Sequence, residues 1–172
     1  LLRADTRFNS REGFFSAGLI WLLVGFFGAL PFQFSGYFPS FVDCLFESIS
    51  GFTTTGASIL TAVELLPKGI LFWRSFIHWL GGMGILVLTI ALLPSLGART
   101  LHVMKAESPG PIISKLVPKS SQSSKILYGI YLVLTVLVIL ALRAAGMDWF
   151  DSVTHAFATA GTGGFSTRNL SV

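Results

Sequence analysis

The stretch Gly51-Phe52-Thr53-Thr54-Thr55-Gly56-Ala57 decides the fold, because it stands between two long parts of the chain that lack charged residues. Runs without Asp, Glu, Lys or Arg cover residues 13–42, 75–98 and 126–142. A helix of about 20 apolar residues is long enough to cross the hydrocarbon core of a bilayer. The sequence therefore predicts membrane spans over residues 14–30, 71–93 and 125–142.

The composition excludes an ordinary soluble domain. Hydrophobic residues make up 52% of the chain and charged residues 12%, whereas a soluble domain carries about 25% charged residues. Cys44 is the only cysteine, so neither an intrachain disulfide nor a cysteine metal cluster is expected. The chain begins Leu1-Leu2-Arg3, without Met and without a signal-peptide pattern. We therefore expect it to be a piece of a longer protein.

The distribution of charge predicts the orientation of the spans. Lys and Arg outnumber Asp and Glu in the N-terminal flank and in the loop after the second span, whereas acidic residues outnumber basic ones on the opposite side. The positive-inside rule then places the N-terminus and that loop in the cytoplasm. The loop, residues 99–124, is rich in Pro, Gly and Ser and is predicted to be an irregular connector. The net charge of +4 therefore implies no nucleic-acid partner.

A second Thr/Gly stretch repeats the first one 108 residues later. The aligned pairs are Asp43 with Asp151, Thr54 with Thr162, Gly56 with Gly164, and Ser58 with Ser166. In both copies a helix-start pattern comes first, in which a capping residue is followed three residues later by an acid. The predicted unit is a span, a short helix, a Thr/Gly turn and, in the first copy, a return span. Internal repeats of this kind mark transport proteins whose pathway lies between the repeats.

The physics of such a unit favours a cation. A helix of about ten residues, here residues 43–50, rises about 15 Å and so ends near the middle of the membrane. Its C-terminal end carries partial negative charge. The non-helical backbone that follows is tolerated there only if it is buried in protein or lines a water-filled path. Glycines allow carbonyl groups to face one axis and replace the water around an ion, as in potassium-channel filters.

We therefore predict that a cation is bound by backbone carbonyls of two turns. The first Thr/Gly turn consists of Thr53, Thr54, Thr55 and Gly56, and the second Thr/Gly turn of Gly161, Thr162, Gly163 and Gly164. Threonine hydroxyls either add oxygen ligands or tie the turns to their surroundings.

Two alternatives remain open from the residues alone. Thr and Gly also occur at ordinary helix contacts in membranes, so a structural or receptor subunit could carry a degenerate pore repeat. An intramembrane hydrolase would need a serine within reach of a histidine, and Ser50 with His78 is the candidate pair. Neither residue lies in a recognisable nucleophile motif, and no oxyanion-hole pattern accompanies them.

Several charged residues near the turns invite a role. Glu47 lies in the first short helix, where it either attracts cations or pairs with Arg74 or Arg168. Arg74 itself is expected to snorkel to the membrane interface. Asp43 and Asp151 are expected to be helix caps. Gly81-Gly82-Met83-Gly84, inside the second span, is expected to allow close helix packing.

These motifs together resemble one family, the Trk/Ktr/HKT potassium-transporter superfamily, and its bacterial Trk branch most of all. Gly51 to Ala57 resembles its first filter segment, and Ala160-Gly161-Thr162-Gly163-Gly164-Phe165-Ser166 resembles its second. The stretch from Phe72 to Ile85 is similar to the helix after the first filter, and Ala106 to Pro111 is similar to the cytoplasmic connector.

The resemblance implies an all-α integral membrane fold built from repeated units of membrane helix, pore half-helix and membrane helix, as in potassium channels. Residues 1–98 would form the first unit, residues 99–124 the cytoplasmic connector, and residues 125–172 a second unit cut off after its filter segment. The implied activity is potassium uptake across the bacterial inner membrane, with no organic cofactor in this chain. The implied partners are the remaining half of the pore, a second protomer in a homodimer, a cytoplasmic nucleotide-binding regulatory subunit and membrane lipids.

Overall fold

The chain is all-helical in the computed structural model, which describes residues 10–92 and 120–170. The α-helices are α1 (Ser10–Ser35), α2 (Phe41–Phe52), α3 (Lys68–Leu92), α4 (Ser120–Ala144) and α5 (Trp149–Ala160), and a 3₁₀ turn covers Val63–Leu65. The described ranges contain no β-strand. Most of the predicted connector, residues 99–119, lies outside the described residues.

The three long helices overlap the predicted spans, and the two largest differences, of five residues each, are at the end of α1 and the start of α4. α1 continues beyond residue 30 and through Pro31 to Ser35. Its last turn is held by Phe32, which is fully buried and lies against Phe38 at a ring-centroid distance of 5.0 Å. α4 begins at Ser120 rather than at Lys125, so the serine-rich segment that was assigned to the connector is helical.

The two short helices are each 12 residues long, which corresponds to about 18 Å. Their caps are Ser40 and Asp148, whose side chains accept hydrogen bonds from the backbone amides of Asp43 and Asp151. The expectation that Asp43 and Asp151 cap the helices is therefore wrong by three residues. Asp43 instead lies in the first turn of α2 and accepts a hydrogen bond from the hydroxyl of the capping residue, Ser40, at 2.9 Å.

Helix α3 lies at the centre and contacts the other four helices. On one side the indole of Trp73 donates to the carbonyl of Gly28 in α1, at 3.0 Å. On the other side the indole of Trp79 donates to the hydroxyl of Thr135 in α4, at 3.1 Å. Helix α3 therefore joins the first unit to the second.

The outward faces of α1 and α4 are apolar. Stretches apolar enough to span a membrane occupy Phe15–Ser35 and Lys125–Ala144, with mean hydropathies of 1.9 and 2.4. Only 22% and 11% of these stretches are buried, whereas the core helix of a soluble protein is mostly buried. The described part of α3 carries Lys68 and Arg74 and is not among these stretches, so its role as a span remains a prediction.

Candidate ion-binding site

Both short helices end in the same backbone arrangement, which is the Schellman motif. At the end of α2 the amide of Thr54 donates to the carbonyl of Gly51 at 3.1 Å, and the amide of Thr55 donates to that of Ser50 at 3.0 Å. The equivalent bonds at the end of α5 run from Thr162 to Thr159 (3.0 Å) and from Gly163 to Ala158 (2.9 Å). The repeat seen in the sequence is therefore also a repeat of backbone geometry.

A threonine in each turn adopts the left-handed conformation that usually belongs to glycine. The φ angle is 56° at Thr54 and 57° at Thr162. For a β-branched residue this conformation is an outlier and costs on the order of 1–3 kcal/mol. The sequence pattern predicted an unusual backbone only at the glycines, because a threonine gives no signal of a positive φ.

The two turns touch each other at Gly56. Its φ is 74°, and a Cβ atom at this position would collide with the carbonyl oxygen of Gly163. Gly164, the equivalent residue of the second turn, also has a positive φ of 89°, but a Cβ there would meet no described atom within 4 Å. The structure thus brings the two predicted segments side by side and leaves the far side of the second one open.

The carbonyl oxygens and the amides of the two turns are used differently within the protein. Among the residues that the structure describes, none donates a hydrogen bond to a carbonyl of residues 53–56 or 161–164. The amides of residues 53–55 and 161–163, in contrast, close the helix ends. The residues differ in exposure, since Gly161 and Gly163 are buried while Thr53, Thr55, Thr162 and Gly164 are exposed.

An open cavity of about 340 Å³ lies beside the second turn. Its lining includes Thr159, Thr162, Gly163, Gly164, His155 and Ser166.

The side chain of Thr53 is bonded within the first turn. Its hydroxyl donates to the carbonyl of Ile49 at 2.7 Å and lies 2.8 Å from the hydroxyl of Thr55. This threonine therefore ties the first turn to α2.

An ion pair lies behind the turns. The Nε of Arg74 donates to the Oε1 of Glu47 at 2.8 Å, and the two side chains are 2% and 0% exposed. Pairing of Glu47 with Arg74 was one of the predicted alternatives, and it is the arrangement found. The expectation that Arg74 snorkels to the interface is wrong, because the acid in α2 neutralises the guanidinium inside the protein.

The same arginine reaches both repeats. Its Nη2 donates to the hydroxyl of Ser58, two residues after the first turn, at 3.2 Å. Its Nη1 donates to the carbonyl of Ser166, two residues after the second turn, at 3.1 Å. The guanidinium also lies over the ring of Phe165, with its central carbon 4.2 Å from the ring centroid. No local pattern around Arg74 predicted these links to the second repeat.

His78 is a second link between the repeats. Its Nδ1 lies 2.7 Å from the carbonyl oxygen of Gly51, and its Nε2 accepts a hydrogen bond from the amide of Phe165 at 3.3 Å. Both ring nitrogens are therefore used by backbone groups in the neutral tautomer that carries its proton on Nδ1. The hydroxyl of Ser50 donates instead to the carbonyl of Ala57 at 2.6 Å. The proposed serine–histidine pair of a hydrolase is thus not formed.

Hydrogen bonds of Asp151 and Asn169 hold the segment that follows the second turn. Asp151 accepts hydrogen bonds from the hydroxyl of Thr167 at 2.9 Å and from the guanidinium of Arg168 at 3.4 Å. The side chain of Asn169 accepts from the amide of Val63 at 2.9 Å. The loop of the first unit is therefore attached to the end of the second.

The glycines of α3 allow close packing, as predicted. A Cβ atom at Gly81 would collide with the carbonyl of Phe52, and one at Gly82 would come within 2.9 Å of the Cα of Gly161. Helix α3 thus approaches the ends of both short helices at backbone distance.

Comparison with known proteins decides the family. A sequence model of the family TrkH, described as cation transport protein, matches residues 2–172. The chain belongs to the TrkH family. It is 46% identical over 171 residues to the Trk system potassium uptake protein TrkH of Halomonas elongata, and 48% identical over 167 residues to that of Escherichia coli K12.

The structural comparison agrees with this assignment. The potassium transporter TrkH from Vibrio parahaemolyticus matches with a TM-score of 0.78 and 38% identity over 98% of this chain. The two sequence matches include 98% and 95% of this chain. They include only 36% and 34% of the relatives' own lengths, and the structural match includes 33% of the solved chain. It therefore spans about a third of the TrkH proteins it matches.

Three expectations are confirmed by the family. The fold is all-α like that of the solved transporter, the resemblance to the Trk branch is correct, and the family to which the chain belongs is one of cation transport proteins, not of enzymes. The hydrolase alternative is thereby excluded both by the family and by the positions of Ser50 and His78.

Proposed function

We propose that this TrkH-type chain supplies two walls of a pore for potassium uptake. The observation that carries the proposal is the pair of matching turns, which touch at Gly56 and whose carbonyls accept no hydrogen bond from any described residue. A dehydrated cation needs such oxygens in place of its water. The sequence relatives are named potassium uptake proteins, which selects potassium among the cations.

The ends of the two short helices support binding of a cation at the turns. The short helices α2 and α5 end directly at them, so the partial negative charges of two helix C-termini lie there. The residues proposed as ligands are Thr53, Thr54, Thr55 and Gly56 of the first turn, and Gly161, Thr162, Gly163 and Gly164 of the second. Two turns surround only part of an axis, so the rest of the longer protein would complete the coordination.

The resemblance to the Trk branch extends the proposal to the whole protein. Residues 1–98 form the first pore unit, residues 99–119 a cytoplasmic connector, and residues 120–172 the start of a second unit that begins with α4. The intact protein lies in the bacterial inner membrane among lipids, with the N-terminus of this chain in the cytoplasm. Its partners are a second protomer in a homodimer and a cytoplasmic nucleotide-binding regulatory subunit. Nucleic acid has no part in this function.

The test is a substitution in the intact transporter. Gly56→Asp introduces a Cβ where the carbonyl of Gly163 lies, and it adds a charge to the turn. We expect rubidium uptake by cells that lack other potassium-uptake systems to fall to background. Gly69→Asp is the matched control, because Gly69 is exposed at the start of α3 and a Cβ there meets no described atom within 4 Å.

Two outcomes separate this proposal from a degenerate pore. Uptake that is normal in wild type and in Gly69→Asp, and lost in Gly56→Asp at equal membrane levels, supports the pore. Unchanged rubidium uptake in Gly56→Asp with normal expression would contradict it, and it would favour a structural or receptor subunit.

A further inference from the structure

We propose that Glu47 and Arg74 form a positioning pair that fixes the two Thr/Gly turns relative to each other and thereby sets the selectivity of the pore. This inference rests on the proposed function. It concerns residues that touch neither turn's carbonyls. The juxtaposition that carries it is one buried guanidinium bonded to an acid in α2, to Ser58 after the first turn and to Ser166 after the second.

The acid is fully committed to this network. Its two carboxylate oxygens accept from the hydroxyl of Ser58 at 2.9 and 3.1 Å, and Oε2 also accepts from the amide of Ile59 at 3.4 Å. Glu47 therefore holds the backbone that leaves the first turn as well as the arginine. No buried side-chain nitrogen or oxygen among the described residues lacks a partner, so the pair has no polar atom left over for an ion.

The second repeat uses a different residue in the equivalent place. His155 occupies the position of Glu47, 108 residues later, and its Nε2 lies 3.3 Å from the hydroxyl of Ser166. The helix-to-serine bond is thus present in both units, but a charged partner is present in only one. Arg74 bridges this asymmetry, because it donates to the serine hydroxyl of the first unit and to the serine carbonyl of the second.

The guanidinium is needed for its shape as well as its charge. A planar fork donates in several fixed directions at once and stacks on an aromatic ring, whereas a lysine ammonium is a point charge on a flexible stem. Arg74 uses Nε, Nη1 and Nη2 for three different partners and lies over Phe165. A lysine would keep the charge near Glu47 but would lose the directional bonds that connect the two repeats.

The experiment uses the full-length transporter and compares Arg74→Lys with the wild type. We expect the ratio of rubidium to sodium uptake to fall by a factor on the order of ten, as for the loss of one hydrogen bond to a charged group. Arg143→Lys is the control, because Arg143 is exposed at the end of α4. It donates a hydrogen bond to the carbonyl of Met147 and lies over the ring of Trp149. Its uptake ratio should equal that of the wild type.

A second variant keeps the inference testable if Arg74→Lys fails to reach the membrane. Ser58→Ala removes only the hydroxyl that Glu47 and Arg74 share, and it leaves the buried ion pair in place. We expect it to lower the same ratio, by less than Arg74→Lys does. A variant that combines both changes should be no worse than Arg74→Lys alone, because the two residues act through one network.

The outcomes distinguish this inference from the proposed function. A lower amount of protein with an unchanged uptake ratio in both variants would show that the pair only stabilises the fold, which overturns the inference while potassium uptake stands. Absence of rubidium uptake in the wild type would overturn the proposed function itself. A lowered ratio in Ser58→Ala or Arg74→Lys, with the ratio of Arg143→Lys unchanged, supports the positioning pair.

Discussion

Two adjacent threonines of the first turn differ in the sign of φ and in the hydrogen bonding of their side chains. Thr54 has a φ of 56°, and its hydroxyl donates no hydrogen bond to a described residue. Thr53 has a φ of −78°, and its hydroxyl donates to the carbonyl of Ile49. Asparagine adopts the left-handed conformation far more readily than a β-branched residue does. The same substitution should therefore have opposite effects at these two positions.

Thr54→Asn should stabilise the protein by about 1 kcal/mol, since it relieves part of the left-handed strain. Thr53→Asn should destabilise it by about 1 kcal/mol, since it removes the hydrogen bond to α2. The measurement is the thermal unfolding midpoint of each purified full-length variant in detergent. A lower midpoint for Thr54→Asn than for wild type would show that the threonine is not strained at this position.

At the scale of the elements, the closest approach is that of α3 to the ends of the short helices. Gly81→Ala would push a methyl group into the carbonyl of Phe52, and overpacking of this kind costs about 1–3 kcal/mol. Gly129→Ala on α4 is the control, because a Cβ there meets no described atom within 4 Å. The control should be neutral or slightly stabilising, by up to about 1 kcal/mol, because alanine favours helix.

The prediction for α3 is checked by the same unfolding measurement, made on matched amounts of the two variants. An equal midpoint for Gly81→Ala and Gly129→Ala would mean that α3 does not touch the end of α2 in the intact protein.

The elements were also what the sequence predicted best. Charge-free runs and a repeated Ser/Thr/Gly pattern are local signals, so the long helices and the presence of a short helix before each Thr/Gly turn were foreseeable, although the first short helix runs over Phe41–Phe52 rather than residues 43–50. The ends at Ser35 and Ser120 were not, since tertiary contacts of Phe32 extend α1 past a proline. Contacts between repeats left no local signal either. The bonds of Arg74 and His78 to residues 165–166 join positions about 90 apart, and the sequence pointed Arg74 outward.

At the scale of the whole molecule, the two turns have unequal surroundings. Gly56 of the first turn is covered by the carbonyl of Gly163, but Gly164 of the second faces open space as far as residues 10–92 and 120–170 are concerned. In the proposed pore each turn contacts the next one around the axis. The chain spans only about a third of its TrkH relatives, so a further segment of the longer protein would cover Gly164 as Gly163 covers Gly56.

The unequal surroundings of Gly56 and Gly164 predict how an alanine at Gly164 behaves in the intact protein. Its positive φ alone costs about 1–2 kcal/mol with alanine, whereas Gly56→Ala suffers the same cost and a collision as well. If a third turn covers Gly164, rubidium uptake should be lost in Gly164→Ala to the same extent as in Gly56→Ala, while Gly69→Ala retains it. Uptake by Gly164→Ala that stays clearly above that of Gly56→Ala would mean that the second turn is open in the intact protein, and the axis would then not be closed by further copies of this unit.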